Sequence, residues 1–238
     1  PEIREYAGRI MMELADVREF WQMPEYSRKN ECPISFGPLA GEGGKEGAYR
    51  LSVSARGITI RANGYAGNFN ALQTVRQLIR MEKPGSYTLP CIEIEDSPAF
   101  DVRGVMLDVG RNYMPLPFIK EVVRKLSYYK INVLHLHLTD DPGWRLEIKK
   151  HPELTDSSVF WRTRQPGKYY TQQEIKDLCD YCASLNVRVI PEIDMPGHSA
   201  PFTKAVGVDM QTDRGMKVLK EVLDEIIPLF GDEWFHIG

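Results

Sequence analysis

The sequence lacks a long apolar run and a strong excess of charge. No stretch approaches the roughly 20 apolar residues that span a bilayer, and the first residues show no charged segment followed by an apolar one, as a secretory leader would have. The net charge is −3 over 238 residues, and no basic stripe is present. These absences argue against a membrane-spanning protein and against a nucleic-acid binder, whose surface is usually basic.

Cysteine is also scarce, with four residues in the chain. Cys179 and Cys182 are three apart within a helical pattern that places both on an apolar face. A redox or zinc pair would need a turn or a helix start, and zinc would need two further ligands. We expect both thiols to pack in the core, and we predict no cofactor and no metal site.

The remaining composition, 42% hydrophobic and 26% charged, is that of a globular protein with one large domain or two modest ones. Up to residue 95 the pattern is α+β. It predicts strands over 48–54 and 57–62 joined as a hairpin, a helix over 68–81 and a strand over 91–95. The signals in residues 1–26 are mixed and predict no element.

After residue 100 short apolar strands alternate with helices, which predicts βαβ units and a parallel sheet. The predicted strands are 102–109, 132–139, 187–193 and 234–237, and the predicted helices are 117–129, 172–185 and 214–230. The first strand leads into residues 107–111 (LDVGR) without the G-x-G-x-x-G of a dinucleotide site. An α/β fold of the (β/α)8 TIM barrel type is therefore favoured over an open doubly wound sheet.

A complete barrel needs eight strands and about 250 residues, whereas only four strands fit before Gly238. We therefore expect a barrel truncated after strand 4, with domains at 1–95 and 96–238. Half a barrel leaves open edges, which predicts poor stability unless the missing half or a homo-oligomer completes it.

Glu192 lies near the carboxyl end of the strand 187–193, and Asp194 and His198 follow it, in the run PEIDMPGHS. Barrel enzymes mount catalytic side chains at the carboxyl ends of strands, because the strand is rigid and the loop beyond it is exposed. This cluster indicates an enzyme.

Three ordered motifs give the chain a family resemblance. Residues 103–111 (RGVMLDVGR), 135–145 (HLHLTDDPGWR) and 191–198 (PEIDMPGH) resemble the first three strand ends of family 20 glycoside hydrolases, the β-N-acetylhexosaminidases. Residues 47–53 and 71–78 resemble the accessory α+β domain of that family. The resemblance extends over nearly the whole chain.

The resemblance implies exo-hydrolysis of terminal β-linked N-acetylglucosamine or N-acetylgalactosamine with retention, in which the substrate's own acetamido oxygen is the nucleophile. The family's catalytic Asp-Glu pair follows the fourth strand, so we expect it just beyond Gly238 and expect this chain alone to be inactive. Asp232 and Glu233 precede that strand, at the opposite end of the barrel, and are interpreted as a solvated loop pair.

The resemblance also assigns roles to single residues. Asp140 and His198 match a carboxylate and imidazole pair that supports the general acid, and Asp194 matches a further active-site carboxylate. These three are the predicted catalytic residues. For the substrate, Arg111 would bind sugar hydroxyls, and Asp141 and Trp144 are placed beside it, the indole as a stacking face.

The roles of Glu192 and of the His135 and His137 pair stay open in the sequence. Glu192 shares a strand face with the site by period-2 alternation, but it fits a buried structural carboxylate equally well. His135 and His137 form an H-x-H pair that could bind zinc, but no further His/Asp cluster is visible in the sequence, so a packed barrel interior is preferred.

Three functions compete on this basis. The first is a family 20 hexosaminidase fragment with carbohydrate as its partner, and with no nucleic-acid partner and no membrane span. The second is a sugar-binding module without an acid, and the third is a metal-dependent hydrolase built on His135 and His137. Family analogy places the first in an extracellular, periplasmic or lysosomal compartment.

Overall fold

The computed structural model describes residues 33–39, 45–83, 86–231 and 233–238. The chain divides into two compact units, Pro1–Asp101 and Val102–Gly238. Three parts of the chain that bear on the sequence analysis lie outside the described residues: the segment 1–26, Cys32, which is one of the four cysteines, and Asp232. Within the described ranges, no helix combines the length and the apolar character needed to cross a membrane.

The first unit is built on a four-stranded sheet of order β1-β3-β2-β6. β1 pairs parallel with β3, and the other pairs are antiparallel. Its elements are β1 (Ile34–Gly37), β2 (Tyr49–Ser54), β3 (Gly57–Ala62), α1 (Gly64–Leu78), β4 (Arg80–Lys83), β5 (Ser86–Thr88) and β6 (Ile92–Asp96). β4 and β5 form a separate hairpin. The predicted α+β character of this region is present in the structure.

Alternation along β2 determines how this unit is packed. Tyr49, Leu51 and Val53 are buried while the residues between them face outward. Burying one face of a strand in this way fixes its register. α1 adds Phe69 and Leu72 to the same core.

The second unit holds a three-stranded parallel sheet of order β11-β8-β7. Its strands are β7 (Gly104–Asp108), β8 (Val133–His137) and β11 (Arg188–Glu192), with a short hairpin of β9 (Thr139–Asp140) and β10 (Gly143–Trp144) after β8. Its helices are α2 (Leu116–Tyr128), α3 (Gln172–Ser184), α4 (Ala200–Val206) and α5 (Asp213–Ile226), with 3₁₀ turns at Pro152–Thr155, Ser157–Val159 and Ile227–Leu229.

The register of these strands brings four polar residues to one level. Asp108 pairs with His137, His137 pairs with Glu192, and Glu192 forms an isolated parallel bridge to His236. Because register partners in parallel strands point to the same face, these side chains form a row across the carboxyl ends of the strands.

Three of the four predicted barrel strands are present with shorter bounds. The predicted fourth strand, 234–237, is wrong as a regular strand: it contributes only the bridge at His236 and backbone hydrogen bonds such as His236 N–H to Pro191 O at 2.9 Å. The four strands of a barrel half are therefore incomplete in the described residues. The sequence analysis also missed β1, the β4–β5 hairpin, the β9–β10 hairpin and α4, which are too short for a clear periodicity.

The two cysteines of the C-x-x-C pattern lie on α3. Cys182 is buried and Cys179 is half-buried, and both thiols are free. Burial raises the pKa of Cys182 to about 12 and that of Cys179 to about 11. Both remain protonated near neutral pH, which fits the predicted packing role and disfavours thiolate chemistry.

Candidate active site

Arg111 lies just beyond β7 and is held between two carboxylates. Its Nη1 donates to Asp108 Oδ2 at 2.7 Å, and its Nη2 lies 2.8 Å from Asp140 Oδ2. Asp108 Oδ1 also accepts the backbone N–H of Arg111 at 2.9 Å, so one carboxylate closes the turn and fixes the guanidinium. The Arg111 side chain stays 43% exposed. Because a guanidinium carries five N–H groups, donors remain for a hydroxyl-rich ligand.

Asp140, on β9, is only 2% exposed and has three partners. Its Oδ2 lies 2.9 Å from His137 Nε2 and also contacts Arg111. Its Oδ1 accepts the backbone N–H of Asp141 at 2.7 Å. A buried carboxylate satisfied on both oxygens is rigid, so Asp140 fixes the groups around it.

His198 lies in the loop after β11, and its Nδ1 is 2.6 Å from Asp194 Oδ2. The hydrogen bond with Asp194 raises the pKa of His198, and the nearby negative charge of Asp140 adds to the effect. The structure therefore pairs His198 Nδ1 directly with Asp194, while Asp140 acts on His198 through its charge. Asp194 is the direct partner, since Asp140 is already held by His137 and Arg111.

The loop that carries His198 is fixed from two sides. The backbone N–H of Asp194 donates to Thr139 Oγ1 at 3.1 Å, and the backbone N–H of Ala200 donates to Asp141 Oδ1 at 3.2 Å. His198 itself has a φ of 45°, in the left-handed region that few residues other than glycine adopt, and such strain is concentrated at functional sites. Asp141, a predicted substrate ligand, thus anchors this loop with one of its oxygens.

Trp144 does not present a stacking face in this structure. Its side chain is 1% exposed, its Nε1 donates to Leu146 O at 2.9 Å, and its ring lies 6.4 Å from that of Phe202 on α4. The predicted contact with sugar is not supported, because α4 covers the indole. Trp161, in the loop before α3, is 47% exposed and thus has an accessible indole ring.

Arg145 is a structural centre of the site to which the sequence analysis assigned no role. It is fully buried, and its guanidinium donates to five backbone carbonyls at 2.7 to 3.2 Å: those of Val109, Gly110, Arg164, Gln165 and Lys168. Burial lowers the pKa of Arg145 to about 10. It therefore ties the turn before Arg111 to the loop around residue 165.

Two clusters in the described residues bring metal-binding side chains together: His135, Glu192 and His236, and His137, Asp140 and Asp194. The structure thus places further histidine and acidic side chains beside His135 and His137, which the sequence did not show. However, His135 Nε2 lies 2.6 Å from Glu192 Oε2, whereas tetrahedral zinc keeps its ligand atoms about 3.3 Å apart. We assign hydrogen bonds to this pair rather than a metal ion.

Asp108, His137 and Glu192 were missed or left open in the sequence, although a common signal marks them. Each is the last residue of a β-branched or leucine-rich strand. Polar residues at the carboxyl ends of successive barrel strands are catalytic candidates. Because each predicted strand ends one or two residues beyond these positions, the rule selects all three only with the observed strand ends.

Comparison with known proteins places this site in a family. The profile described as "Glycosyl hydrolase family 20, catalytic domain" matches residues 100–214, and the one described as "Glycosyl hydrolase family 20, domain 2" matches residues 11–97. The chain belongs to glycosyl hydrolase family 20. The candidate site lies within the catalytic-domain match as far as His198, and the first unit contains the domain 2 match.

Individual family 20 proteins resemble the chain along most of its length. A beta-hexosaminidase of Vibrio furnissii is 36% identical over 81% of this chain and 37% of the relative. The solved chitobiase of Flavobacterium johnsoniae is 31% identical with a TM-score of 0.83, covering 100% of this chain and 39% of that one. The solved exo beta-N-acetylglucosaminidase of Vibrio harveyi, in complex with N-acetylglucosamine, is 29% identical with a TM-score of 0.84, covering 100% and 41%. The chain thus spans less than half the length of these relatives.

Proposed function

We propose that this chain is part of a β-N-acetylhexosaminidase that removes terminal, non-reducing β-linked N-acetylglucosamine or N-acetylgalactosamine. The observation that carries the proposal is the full-length alignment of this chain with family 20 structures such as the N-acetylglucosamine complex. The reaction retains the anomeric configuration, with the substrate's acetamido oxygen as nucleophile.

Arg111 is the substrate-binding residue with the strongest structural support. Its guanidinium is held by Asp108 and Asp140 at fixed angles while its side chain remains accessible. A planar fork of donors suits neighbouring hydroxyl oxygens of a sugar ring. Asp141 supports the same region by anchoring the loop before α4.

His198 and Asp194 form the acid-tuning pair of the proposed mechanism. Asp194 orients the imidazole through Nδ1, which leaves the other ring nitrogen to face a general acid. A charged or hydrogen-bonded neighbour shifts the pKa of that acid toward its working range. Asp140 contributes its negative charge to His198 and its contacts to Arg111.

The general acid itself is proposed to follow Gly238, in an Asp-Glu pair. Residues 235–238 (FHIG) resemble the residues that lead into this pair in the family, which supports the placement. In this account the chain is the accessory domain, 1–95, and the first part of a TIM barrel, 96–238, and it spans 37 to 41% of the length of its relatives. A version of the chain that also carries the remaining barrel strands and the Asp-Glu pair is called the extended protein below.

The partner of the extended protein is proposed to be an N-acetylhexosaminide, with the remaining barrel strands supplied by the same polypeptide. A homo-oligomer is not needed to complete the site in this account. By family analogy, the enzyme acts in an extracellular, periplasmic or lysosomal compartment.

The test is hydrolysis of a chromogenic N-acetyl-β-glucosaminide by the extended protein, with the anomer of the released sugar followed by NMR. The matched control is the corresponding β-glucoside, which lacks the acetamido group and therefore the nucleophile. Release of the β-anomer from the first substrate alone supports the proposal. Equal hydrolysis of both substrates, or no hydrolysis of either, would overturn it.

A further inference from the structure

His137, the last residue of β8, is enclosed by two carboxylates. Its Nε2 lies 2.9 Å from Asp140 Oδ2, and its Nδ1 lies 3.0 Å from Glu192 Oε2. The three side chains are between 2% and 6% exposed, so water competes little for these contacts. Because an ionised carboxylate can only accept hydrogen bonds, this arrangement favours a proton on each ring nitrogen, which is the imidazolium form of His137.

The groups that face His137 come from each strand packed against it. Asp140 on β9 and Glu192 on β11 contact it directly, while Asp108 on β7 acts through space. A carboxylate oxygen of Asp194, in the loop after β11, lies within 4.8 Å of a His137 ring nitrogen. Burial alone would lower the pKa of His137, but the hydrogen bonds with Asp140 and Glu192 outweigh burial and raise it. His135 on β8 also contacts Glu192, and its pKa is lowered, mainly by burial, against the opposing effect of Glu192.

The positive charge of His137 balances a site rich in carboxylates. Asp108, Asp140 and Glu192 lie around it. Arg111 is a second cation and contacts Asp108 and Asp140. A buried carboxylate that loses its partner is costly. If His137 were neutral, the negative charge of Asp140 would be compensated by Arg111 alone. The negative charge of Glu192 would then face neutral rings or the exposed His236.

The Asp140 carboxylate links this buried bridge to the substrate side. The same oxygen, Oδ2, contacts both His137 Nε2 and Arg111 Nη2. Any shift of Asp140 therefore moves the guanidinium, since Arg111 is fixed at one end by Asp108 and at the other by Asp140.

We propose that His137 and Glu192 are positioning residues, whose charged hydrogen-bonded bridge holds Asp140 against Arg111 and so keeps the guanidinium aligned with the terminal sugar. Both act through Asp140 rather than on the sugar. The kinetic consequence rests on the proposed hexosaminidase function, whereas the bridge itself is a property of the fold and can be tested without activity.

The bridge is tested first by NMR of the histidine rings in the extended protein, with His137→Gln used to assign the signals of His137. The expected result is that both ring nitrogens of His137 carry protons from pH 5 to pH 8, and that Glu192→Gln makes the ring lose a proton within that range. A His137 ring that is neutral at pH 7 in the unaltered protein would overturn the proposal, even if Glu192→Gln fails to fold.

The positioning role is tested by the pH dependence of kcat and KM in Glu192→Gln, which keeps the size of the side chain and removes its charge. We expect kcat/KM to fall by about tenfold or more, mainly through KM, and to fall further as pH rises because His137 then loses its proton. His151→Gln is the matched control, since His151 pairs with Glu221 and Glu153 instead. Its profile should follow that of the unaltered protein.

The outcomes separate this inference from the proposed function. An extended protein that hydrolyses no N-acetylhexosaminide refutes the proposed function, and the NMR result still decides whether the bridge exists. An active protein in which Glu192→Gln retains the unaltered pH profile and KM refutes the positioning role. A uniform loss of active protein with unchanged KM and unchanged pH profile would indicate a merely structural role and would also refute it.

Discussion

Asp194 and His198 are joined by a 2.6 Å hydrogen bond between Asp194 Oδ2 and His198 Nδ1, across a loop with a left-handed residue at its end. The His198 side chain is half exposed while that of Asp194 is largely buried. The pair thus anchors one face of the imidazole in the protein and presents the other outward. In the proposed mechanism, the outward side of the imidazole meets the general acid.

The first prediction concerns the protonation of His198. Its pKa is raised in the folded protein by the bond to Asp194, so its contribution to stability is fully present below the unfolded pKa of about 6.5 and is lost as pH rises through the folded pKa. Asp194→Asn should return the His198 pKa toward its ordinary value, as measured by NMR titration. A midpoint that does not move in Asp194→Asn would contradict the assigned pairing.

The second prediction concerns Arg111. Lysine cannot contact Asp108 and Asp140 with two nitrogens at once, because its ammonium is a single point of charge. Arg111→Lys should therefore lower kcat/KM of the extended protein by about 10- to 100-fold. Arg124→Lys on α2, an exposed arginine paired with Glu121, is the control and should leave kcat/KM unchanged. Equal effects of the two substitutions would refute the special role of Arg111.

The third prediction concerns Arg145. Arg145→Met removes the donor to five carbonyls in a buried place, which should destabilise the extended protein by about 3 kcal/mol or more. The free energy of unfolding in urea measures this loss. Arg124→Met is the exposed control, with an expected change of less than about 1 kcal/mol. A loss for Arg145→Met no larger than that of the control would contradict the structure.

The fourth prediction separates stability from activity. Thr171 caps α3 by accepting the backbone N–H of Glu174, whose side chain in turn accepts the N–H of Thr171. Thr171→Ala should cost about 1 kcal/mol of unfolding free energy without changing KM, while Thr171→Ser keeps the oxygen and should restore most of the loss. If KM changed in Thr171→Ala, the helix start would have an unrecognised link to the site.

The presence of three barrel strands was predictable from the sequence, because runs such as 132–139 are short and mostly apolar, but each predicted end lies one or two residues beyond the observed one. The partners of the polar residues were not predictable. The order of the strands places both Asp140 and Asp194 near His198. Which of the two carboxylates bonds to the imidazole depends on the conformation of the loop that carries His198. Trp144 shows a similar limit, since its burial depends on α4, a helix of seven residues with no clear periodic pattern.

The chain's resemblance to its family was carried by three motifs, and each of them contains the carboxyl end of one strand, β7, β8 or β11. Arg145 could have been noticed as the one charged residue closing the motif 135–145. Its role was hidden because its partners are backbone carbonyls, which leave no trace in side-chain patterns. Sequence patterns reveal side-chain chemistry more readily than they reveal what the backbone requires.

The most direct test of the account compares hydrolysis of a chromogenic N-acetyl-β-glucosaminide by the 238-residue chain and by the extended protein under identical conditions. The account predicts activity in the extended protein and none in the 238-residue chain, because the general acid is placed beyond Gly238. Hydrolysis by the shorter chain would contradict that placement, and no hydrolysis by either would favour a sugar-binding module over an enzyme.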